Sequence, residues 1–448
     1  MLEGYKEYKT TNYDWLPQIP SHWEWIYLSQ SCNEQKIKNS DNRENCVLSL
    51  SYGNIIRKKD INFGLVPKEY SNYQIVNRGN IILRLTDLQN DHTSLRTGIV
   101  KEKGIITSAY TCIKPHENPM YLQYLLHSYD TLKVFYGIGG GVRQSIGFKE
   151  IRNMNIPFPP RSEQDQIVRY LDWKVSMINK YINAKKKQID LLKERKQAII
   201  NQAVTKGLEI NVPMKESGIE WLGKIPEHWE VVPLRRIAKF VKTGGTPNGV
   251  SNIYYSEDGT NWYTPGDFTD DIFLCRSIRK LSILGEKEVK IFPPNSIFLI
   301  GIGGTLGKVA ISKQSASCNQ QINAIVCNPH YNEIFLTFYL RLIKIHIFNT
   351  AKYTTLPILN QEETKNISVL LLDVSEQRKT ATYLLNIEED YNASIHNLEN
   401  QISFIQEYRT RLISDVVTGK VNVQNVKMPE FIDDDQESQE IIEKEDDE

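Results

Sequence analysis

Y-D-W-L-P-Q-I-P-S-H-W-E-W, Tyr13 to Trp25, returns 206 residues later as I-E-W-L-G-K-I-P-E-H-W-E-V, Ile219 to Val231. The shared frame is acid-W-L-x-x-I-P-x-H-W-E. Two tryptophans, a proline and a histidine at fixed offsets do not recur by chance, and a period this long indicates duplicated domains rather than a solenoid. A second match lies further along each half. Ser162-Glu163-Gln164 aligns with Ser375-Glu376-Gln377 at an offset of 213, as do Ile189 with Ile402 and Val204-Thr205 with Val417-Thr418. The stretches between, about 26–155 and 232–368, show little mutual similarity. The chain therefore reads as variable region, helix, variable region, helix.

Neither 162–205 nor 375–418 contains Gly or Pro. Each opens on S-E-Q, read as an N-cap with an acid in the first turn, and Gly207 and Gly419 stand where a stop is expected. A helix of about 42 residues is roughly 60 Å long, too long for one globule. Its apolar residues form a seam. In the distal helix this reads Leu384, Ile387, Tyr391, Ile395, Leu398, Ile402, Ile405, Arg409, Leu412, Val416. In the central one it reads Leu171, Lys174, Ile178, Ile182, Lys185, Ile189, Leu192, Lys196, Ile199, Ala203. Steps of 3 and 4 with one stutter predict a coiled coil. Equal length and phasing favour pairing within the chain, antiparallel. Residues 161–206 carry a net charge of +6 and 375–420 a net of −2, which suits mutual pairing.

Both variable regions read as mixed α/β. Expected strands include Asn80–Leu85, Ile105–Ile113 and Ser296–Ile302; expected helices include Tyr121–Tyr136 and Glu333–Phe348. The expected class is mixed α+β: two α/β domains separated by two long antiparallel helices in a coiled coil, with a pseudo-two-fold internal repeat. The expected boundaries are 1–160, helix 161–207, 208–374, helix 375–420, and an acidic tail 421–448.

The 448 residues hold 54 Lys+Arg and 54 Asp+Glu, yet the balance hides an asymmetry. Residues 430–448 carry a net −10, the composition of a disordered extension, and the rest +10. A basic body permits an anionic partner. No apolar run reaches the ~18 residues of a membrane span, and no apolar segment near the N-terminus reads as a secretory signal. Six scattered cysteines form no CxxC, so a reducing, cytoplasmic setting is expected.

Several loops combine the side chains that read base edges with glycines that let a backbone approach phosphate. R-L-T-D-L-Q-N-D-H-T-S-L-R offers Arg84, Gln89, Asn90 and Arg96, and G-I-G-G-G-V-R-Q ends in Arg143 and Gln144. G-I-G-G-T-L-G-K offers Gly304, Thr305 and Lys308, and N-Q-Q-I-N supplies Asn319, Gln320 and Gln321. Catalytic patterns fail. Gly301–Lys308 has Ile302 where a P-loop needs Gly and Val309 where it needs Ser/Thr. Leu306 breaks GxGxxG. No HExxH or serine elbow appears, and Asn155–Pro160 has the order of an amino-methyltransferase tetrapeptide broken. A binding module is the better reading.

The duplicated frame, the duplicated S-E-Q helices, and G-I-G-G-T-L-G-K with N-Q-Q-I-N resemble the specificity subunits of Type I restriction–modification enzymes, over nearly the whole chain except the acidic tail. The resemblance implies that each variable region is a target recognition domain reading one half of a bipartite double-stranded DNA site, with the helix pair as a spacer that sets the gap. It implies a non-catalytic chain with no cofactor of its own and no membrane partner. It further implies docking of two adenine methyltransferase subunits that use S-adenosylmethionine, and of restriction motor-nuclease subunits that use ATP and Mg²⁺. Competing readings are a non-DNA protein scaffold built on a coiled coil, a stand-alone enzyme, and a system that only methylates.

Overall fold

The repeated frame folds the same way twice because the same apolar residues are available to bury. The computed structural model describes residues 3–58, 70–86, 88, 95–138, 146–248, 252–350, 352–353 and 357–429. In the first copy Tyr8–Tyr13 pairs with Leu16–Pro20, and Leu16, Ile19 and Trp23 are fully buried. In the second, Met214–Glu216 pairs with Lys224–Pro226, and Ile225 and Trp229 are fully buried.

One compact unit comprises Met1–Lys186 with Glu399–Glu448, and the other Lys187–Leu398. This division differs from the expected boundaries, because it cuts each long helix in two. In the first unit, β1 (Glu24–Tyr27) pairs with β6 (Asn155–Phe158). Strands β2 (Cys32–Glu34), β3 (Ile81–Leu83), β4 (Thr97–Ile99) and β5 (Thr111–Pro115) form an antiparallel sheet of order β2-β5-β3-β4. Helix α1 (Pro119–Thr131) follows, capped by the Asn118 side chain. The first long helix, α2, spans Arg161–Lys206.

The second unit repeats this plan. Strand β7 (Glu230–Pro233) pairs with β12 (Ser368–Leu371). Strands β8 (Ala238–Thr243), β9 (Ser296–Ile300), β10 (Val309–Ser312) and β11 (Ile322–Cys327) are ordered β8-β11-β9-β10, again antiparallel. Helix α3 (Glu333–Leu342) is capped by Asn332, and the second long helix, α4, spans Val374–Val417. The two variable regions are thus one fold written in two dissimilar sequences. Their cores are filled by equivalent elements: Ile81, Leu83 and Ile113 with Leu125 in one, Ile297, Leu299 and Ile325 with Leu336 in the other.

A carboxylate ties each frame to a long helix. Glu163, in the first turn of α2, accepts from Trp23 Nε1 at 3.0 Å and from the Tyr5 hydroxyl on one oxygen; His22 Nε2 lies 2.9 Å from the other. Glu376, in the first turn of α4, accepts from Trp229 Nε1 at 3.1 Å, with His228 Nε2 at 3.0 Å. Each carboxylate also faces the positive end of its helix. The following glutamine closes the corner in both copies: Gln164 Nε2 donates to Pro159 O and Gln377 Nε2 to Leu372 O. The end of the other long helix arrives at the same place. Gly419, at φ +77°, leaves no room for a side chain against Pro20 and Trp23, and Gly207, at φ +78°, lies against Trp229 and Glu376. In the first unit the chain leaving α4 runs beside the N-terminal segment, Asn422 N donating to Glu3 O at 2.9 Å.

Every residue of the two expected seams is buried or half-buried. Within the first unit Arg409 donates to Asn179 Oδ1 at 2.7 Å and Tyr181 to Gln401 Oε1 at 3.5 Å, so the two helix segments there run in opposite directions. Within the second, Lys196 Nζ reaches Asn392 Oδ1 at 2.9 Å and Glu388 at 3.4 Å. Lys196 and Arg409 are repeat equivalents, as are Asn179 and Asn392. The same cation–amide pair therefore interrupts the apolar seam twice, a polar contact of the kind that selects one register.

Some expected elements are shorter. The Ile105–Ile113 run is two strands, Gly104–Ile106 and Thr111–Pro115, split by a turn at Thr107–Tyr110. The Tyr121–Tyr136 helix stops at Thr131 and resumes as a 3₁₀ turn after Lys133, which sits at φ +60°. The Glu333–Phe348 helix breaks after Leu342. Neither S-E-Q serine is the cap. Helix α2 begins at Arg161, with the Glu163 and Gln164 N–H groups on Pro160 O, and Asp373 accepts from Ser375 N at 2.8 Å ahead of α4. The tail, 430–448, lies outside the described residues.

Replacing Glu163 by Leu strands the Trp23 and Tyr5 donors in a site where the Glu163 side chain is 4% exposed, at an expected cost of about 3 kcal/mol. Glu376→Leu is expected to cost about half as much, because the Glu376 side chain is 28% exposed and water replaces it. Urea midpoints of the two variants test the ranking. A second prediction concerns His127 on α1. Burial, and then the nearby Arg409 guanidinium, push it down to about 4. The unfolded chain takes up its proton near pH 6.5. The native stability from this group is complete above that pH and is lost as pH falls towards 4. In His127→Gln the fall in melting temperature between pH 6.5 and 4 is expected to be shallower than in the parent.

Candidate nucleic-acid interface

Three loops of the second unit meet at one end of its four-stranded sheet. One leaves β8 at Thr243, one joins β9 to β10 through Gly301–Lys308, and one, Asn319–Gln321, enters β11. Backbone bonds tie them together. Gly301 N donates to Gln321 O at 2.8 Å, Gly244 N to Ile322 O at 3.0 Å and Gly245 N to Cys318 O at 2.9 Å. Gly244 is required by this approach, since a Cβ there would lie 2.1 Å from Cys318 O. Asn323 supports the corner from beneath, its amide donating to Leu359 O and Thr364 Oγ1 and accepting from Thr243 Oγ1.

On this base Gly304, Thr305 and Gln320 are exposed, and Lys308 and Gln321 are half-buried. Among the described residues a Cβ at Gly304 would meet nothing within 4 Å, so their packing does not demand glycine there. Thr246 Oγ1 donates to Gln320 Oε1 at 2.5 Å. Asn319 is 8% exposed and is spent on its neighbours: its Nδ2 donates to Gln321 Oε1 at 2.9 Å and its Oδ1 accepts from Gln321 N at 3.1 Å. It shapes the loop rather than presenting an edge. The Gly-rich stretch joins two antiparallel strands, whereas a P-loop joins a strand to a helix.

The equivalent loop of the first unit joins β3 to β4 and is the Arg84–Arg96 stretch. Arg84 is half-buried at its start. Arg96, expected from the sequence among the base-reading residues, is fully buried. Its Nε donates to the Tyr136 hydroxyl at 3.0 Å, and its Nη1 to Arg84 O at 3.2 Å and Thr86 O at 2.6 Å. Its backbone N–H meets Asp130 Oδ2 at 2.6 Å. A fully buried guanidinium bonded to the Tyr136 hydroxyl and to two main-chain carbonyls closes the base of the loop. Gln89, Asn90, Arg143 and Gln144 lie outside the described residues. Sequence reasoning passed over T-G-G-T-P, Thr243 to Pro247, which carries the same signal as the loops it did select: paired glycines between hydroxyl side chains.

Two domains that share a scaffold and differ in the loops at one sheet end define a twin recognition protein. The comparisons with known proteins agree. The family model described as the Type I restriction modification DNA specificity domain matches residues 52–191 and 226–403. The chain belongs to this family, as a specificity subunit with two target recognition domains. It is 25% identical to the Type I restriction enzyme MjaVIII specificity subunit of Methanocaldococcus jannaschii, over 80% of this chain and 82% of that one. Its fold is similar to a chain solved in work on complex assembly and conformational transition of the type I R-M system, with TM-score 0.69 and 14% identity over 90% of this chain and 99% of that one. It is also similar to the HsdS subunit of Thermoanaerobacter tengcongensis, with TM-score 0.50 and 14% identity over 90% and 98%. Specificity subunits of this family are non-catalytic and confer sequence-specific DNA recognition. No helix among the described residues is long and apolar enough to cross a membrane.

Removing the Arg96 side chain is expected to act on folding. Arg96→Leu removes the donor that the Arg84 and Thr86 carbonyls share in a fully buried site and should cost about 3 kcal/mol. Thr305→Ala, at an exposed loop position, should stay within about 0.5 kcal/mol of the parent. Thermal unfolding of the two variants separates a buried brace from an exposed loop position.

Proposed function

We propose that this chain reads a bipartite double-stranded DNA site, one half with each recognition domain, and that α2 and α4 form an antiparallel coiled-coil spacer that sets the gap. The observation that carries this reading is the pairing of one scaffold with two unlike loops: sheet order β2-β5-β3-β4 matches β8-β11-β9-β10, while the β3–β4 loop and its equivalent between β9 and β10 share no sequence. Such an arrangement suits two different half-sites. The seam, with its repeated cation–amide contact, supports the spacer.

In this reading Arg84, Gln89, Asn90, Arg143 and Gln144 serve the first domain, and Gly304, Thr305, Lys308, Gln320 and Gln321 the second. Gly304 leaves backbone open to an approaching phosphate. Cations supply affinity that falls steeply with salt, and amide side chains supply discrimination at base edges. One chain carrying both readers makes the second contact intramolecular. The chain docks two adenine methyltransferase subunits, which bring S-adenosylmethionine. Restriction motor-nuclease subunits, which bring ATP and Mg²⁺, complete the assembly in the cytoplasm.

The spacer is tested by length. One helical turn added to both α2 and α4 adds about 5.4 Å and is expected to lengthen the gap by one to two base pairs, at roughly 3.4 Å per pair. Genome-wide mapping of methylated adenine in cells carrying the parent or the lengthened chain reads both half-sites and the gap. An unchanged gap refutes the spacer.

A further inference from the structure

R-S-I-R-K, Arg276 to Lys280, sets three cations about one isoleucine, and none of the loops already described includes it. It lies in the second recognition domain, where the chain bends into the strand Arg279–Leu281. That strand is the edge of a three-stranded sheet. It pairs antiparallel with Tyr255–Tyr263, which pairs parallel with Ala316–Cys318. Side chains pin the bend. Asp267 Oδ1 accepts from Ile278 N at 2.6 Å, and Ser277 Oγ donates to Arg279 O at 2.5 Å and accepts from Trp262 N at 3.2 Å. On this fixed backbone Ile278 is 82% exposed, with Arg276 and Arg279 exposed on either side of it in the chain. The same sheet ties the bend to the candidate interface. Trp262 Nε1 donates to Gly245 O at 2.9 Å in the Thr243–Pro247 loop, and Asn319 N donates to Tyr263 O at 2.9 Å.

A single exposed isoleucine is common on protein surfaces and needs no role. Its neighbours give this one a use. Three cations in five residues, with no acid among them, suit a polyanion. A DNA duplex offers phosphates outside and apolar groups, thymine methyls and sugar faces, within its grooves. An acidic protein surface would also meet these arginines; the sheet shared with the candidate interface is what favours DNA. We propose that Arg276–Lys280 is a further DNA contact of the second recognition domain, in which Arg276 and Arg279 bind phosphates and Ile278 packs against an apolar face of the duplex. Asp267 and Ser277 are positioning residues that hold the bend. The stretch lies in the variable region and outside the G-I-G-G-T-L-G-K and N-Q-Q-I-N pair, so the contact is particular to this chain. This rests on the DNA-reading function proposed above.

The test uses the chain with its own methyltransferase subunit, and duplexes carrying the motif that this complex methylates. Cys275, next to the bend, is exposed, while the other five cysteines are buried or half-buried. Binding of the duplex is expected to slow maleimide labelling of Cys275, with Cys275→Ser as the blank. Arg276→Gln and Arg279→Gln are each expected to weaken binding about fivefold at about 0.1 M salt, equally for duplexes with and without the motif. Each should also lower the slope of log affinity against log salt by about 0.9. Ile278→Ser is expected to weaken binding about fourfold, the worth of one buried methylene, and only where the second half-site is intact. All three side chains are exposed, so the melting temperature stays as in the parent. Uracil in place of thymine in that half-site names the apolar group. It reproduces the loss in the parent if Ile278 meets a thymine methyl, and leaves binding unchanged if Ile278 meets a sugar face. Labelling of Cys275 that the duplex does not slow, or unchanged affinity and salt slope in Arg276→Gln and Arg279→Gln, overturns the inference. So does loss of the methyltransferase subunit from Ile278→Ser, which would make the bend a protein-docking surface. A parent complex that binds no duplex would instead remove the DNA-reading function itself.

Discussion

A carboxylate at the start of each long helix, buried in the first copy and half-buried in the second, is the contact on which the architecture depends. Glu163 is nearly inaccessible, and burying a charge is costly unless donors surround it. Trp23, Tyr5 and His22 supply those donors, and the helix terminus adds its partial positive charge. Because Trp23 also carries the frame and packs against Gly419, one carboxylate joins the hairpin, the start of α2 and the end of α4. Glu376 does the same with Trp229, His228 and Gly207. This is why histidine, tryptophan and glutamate recur together: each copy needs the whole set for the charge to be satisfied.

Around that anchor the scaffold tolerates wide variation. The two sheets share order and direction while their residues differ, since a strand of this kind asks only for apolar side chains facing one core. Loops at the sheet ends answer to other constraints. Arg96 and Asn319 lie inside them and hold their form, whereas Thr305 and Gln320 stand on the surface. A loop that reads a ligand needs both kinds of residue, and side-chain type alone does not separate them. Arginine and asparagine are common in base contacts and equally suited to binding stray main-chain groups, so only burial sorts one use from the other.

Much of the design was legible in the linear order of residues. The duplicated frame, the two long helices, their glycine stops and the seam were all readable, because helical periodicity and repeated anchors are local signals that survive without coordinates. The meaning of the S-E-Q motif was not. Its glutamate reads as a first-turn acid, and its tryptophan partners lie 140 and 147 residues away in sequence. Nor could the seam show that Lys196 meets Asn392 as Arg409 meets Asn179, since that match needs the crossing of two distant helices.

By itself the sequence determined that the chain is a duplication, where the long helices start and stop, and which family it resembles, since each of these rests on patterns within one stretch or on identity between two. Tertiary structure decided that the dissimilar regions are the same fold, that Arg96 is buried and braces its loop, and that the Thr243–Pro247 loop joins the candidate interface. These depend on contacts between residues far apart in the chain, and long-range packing is what composition and periodicity do not encode.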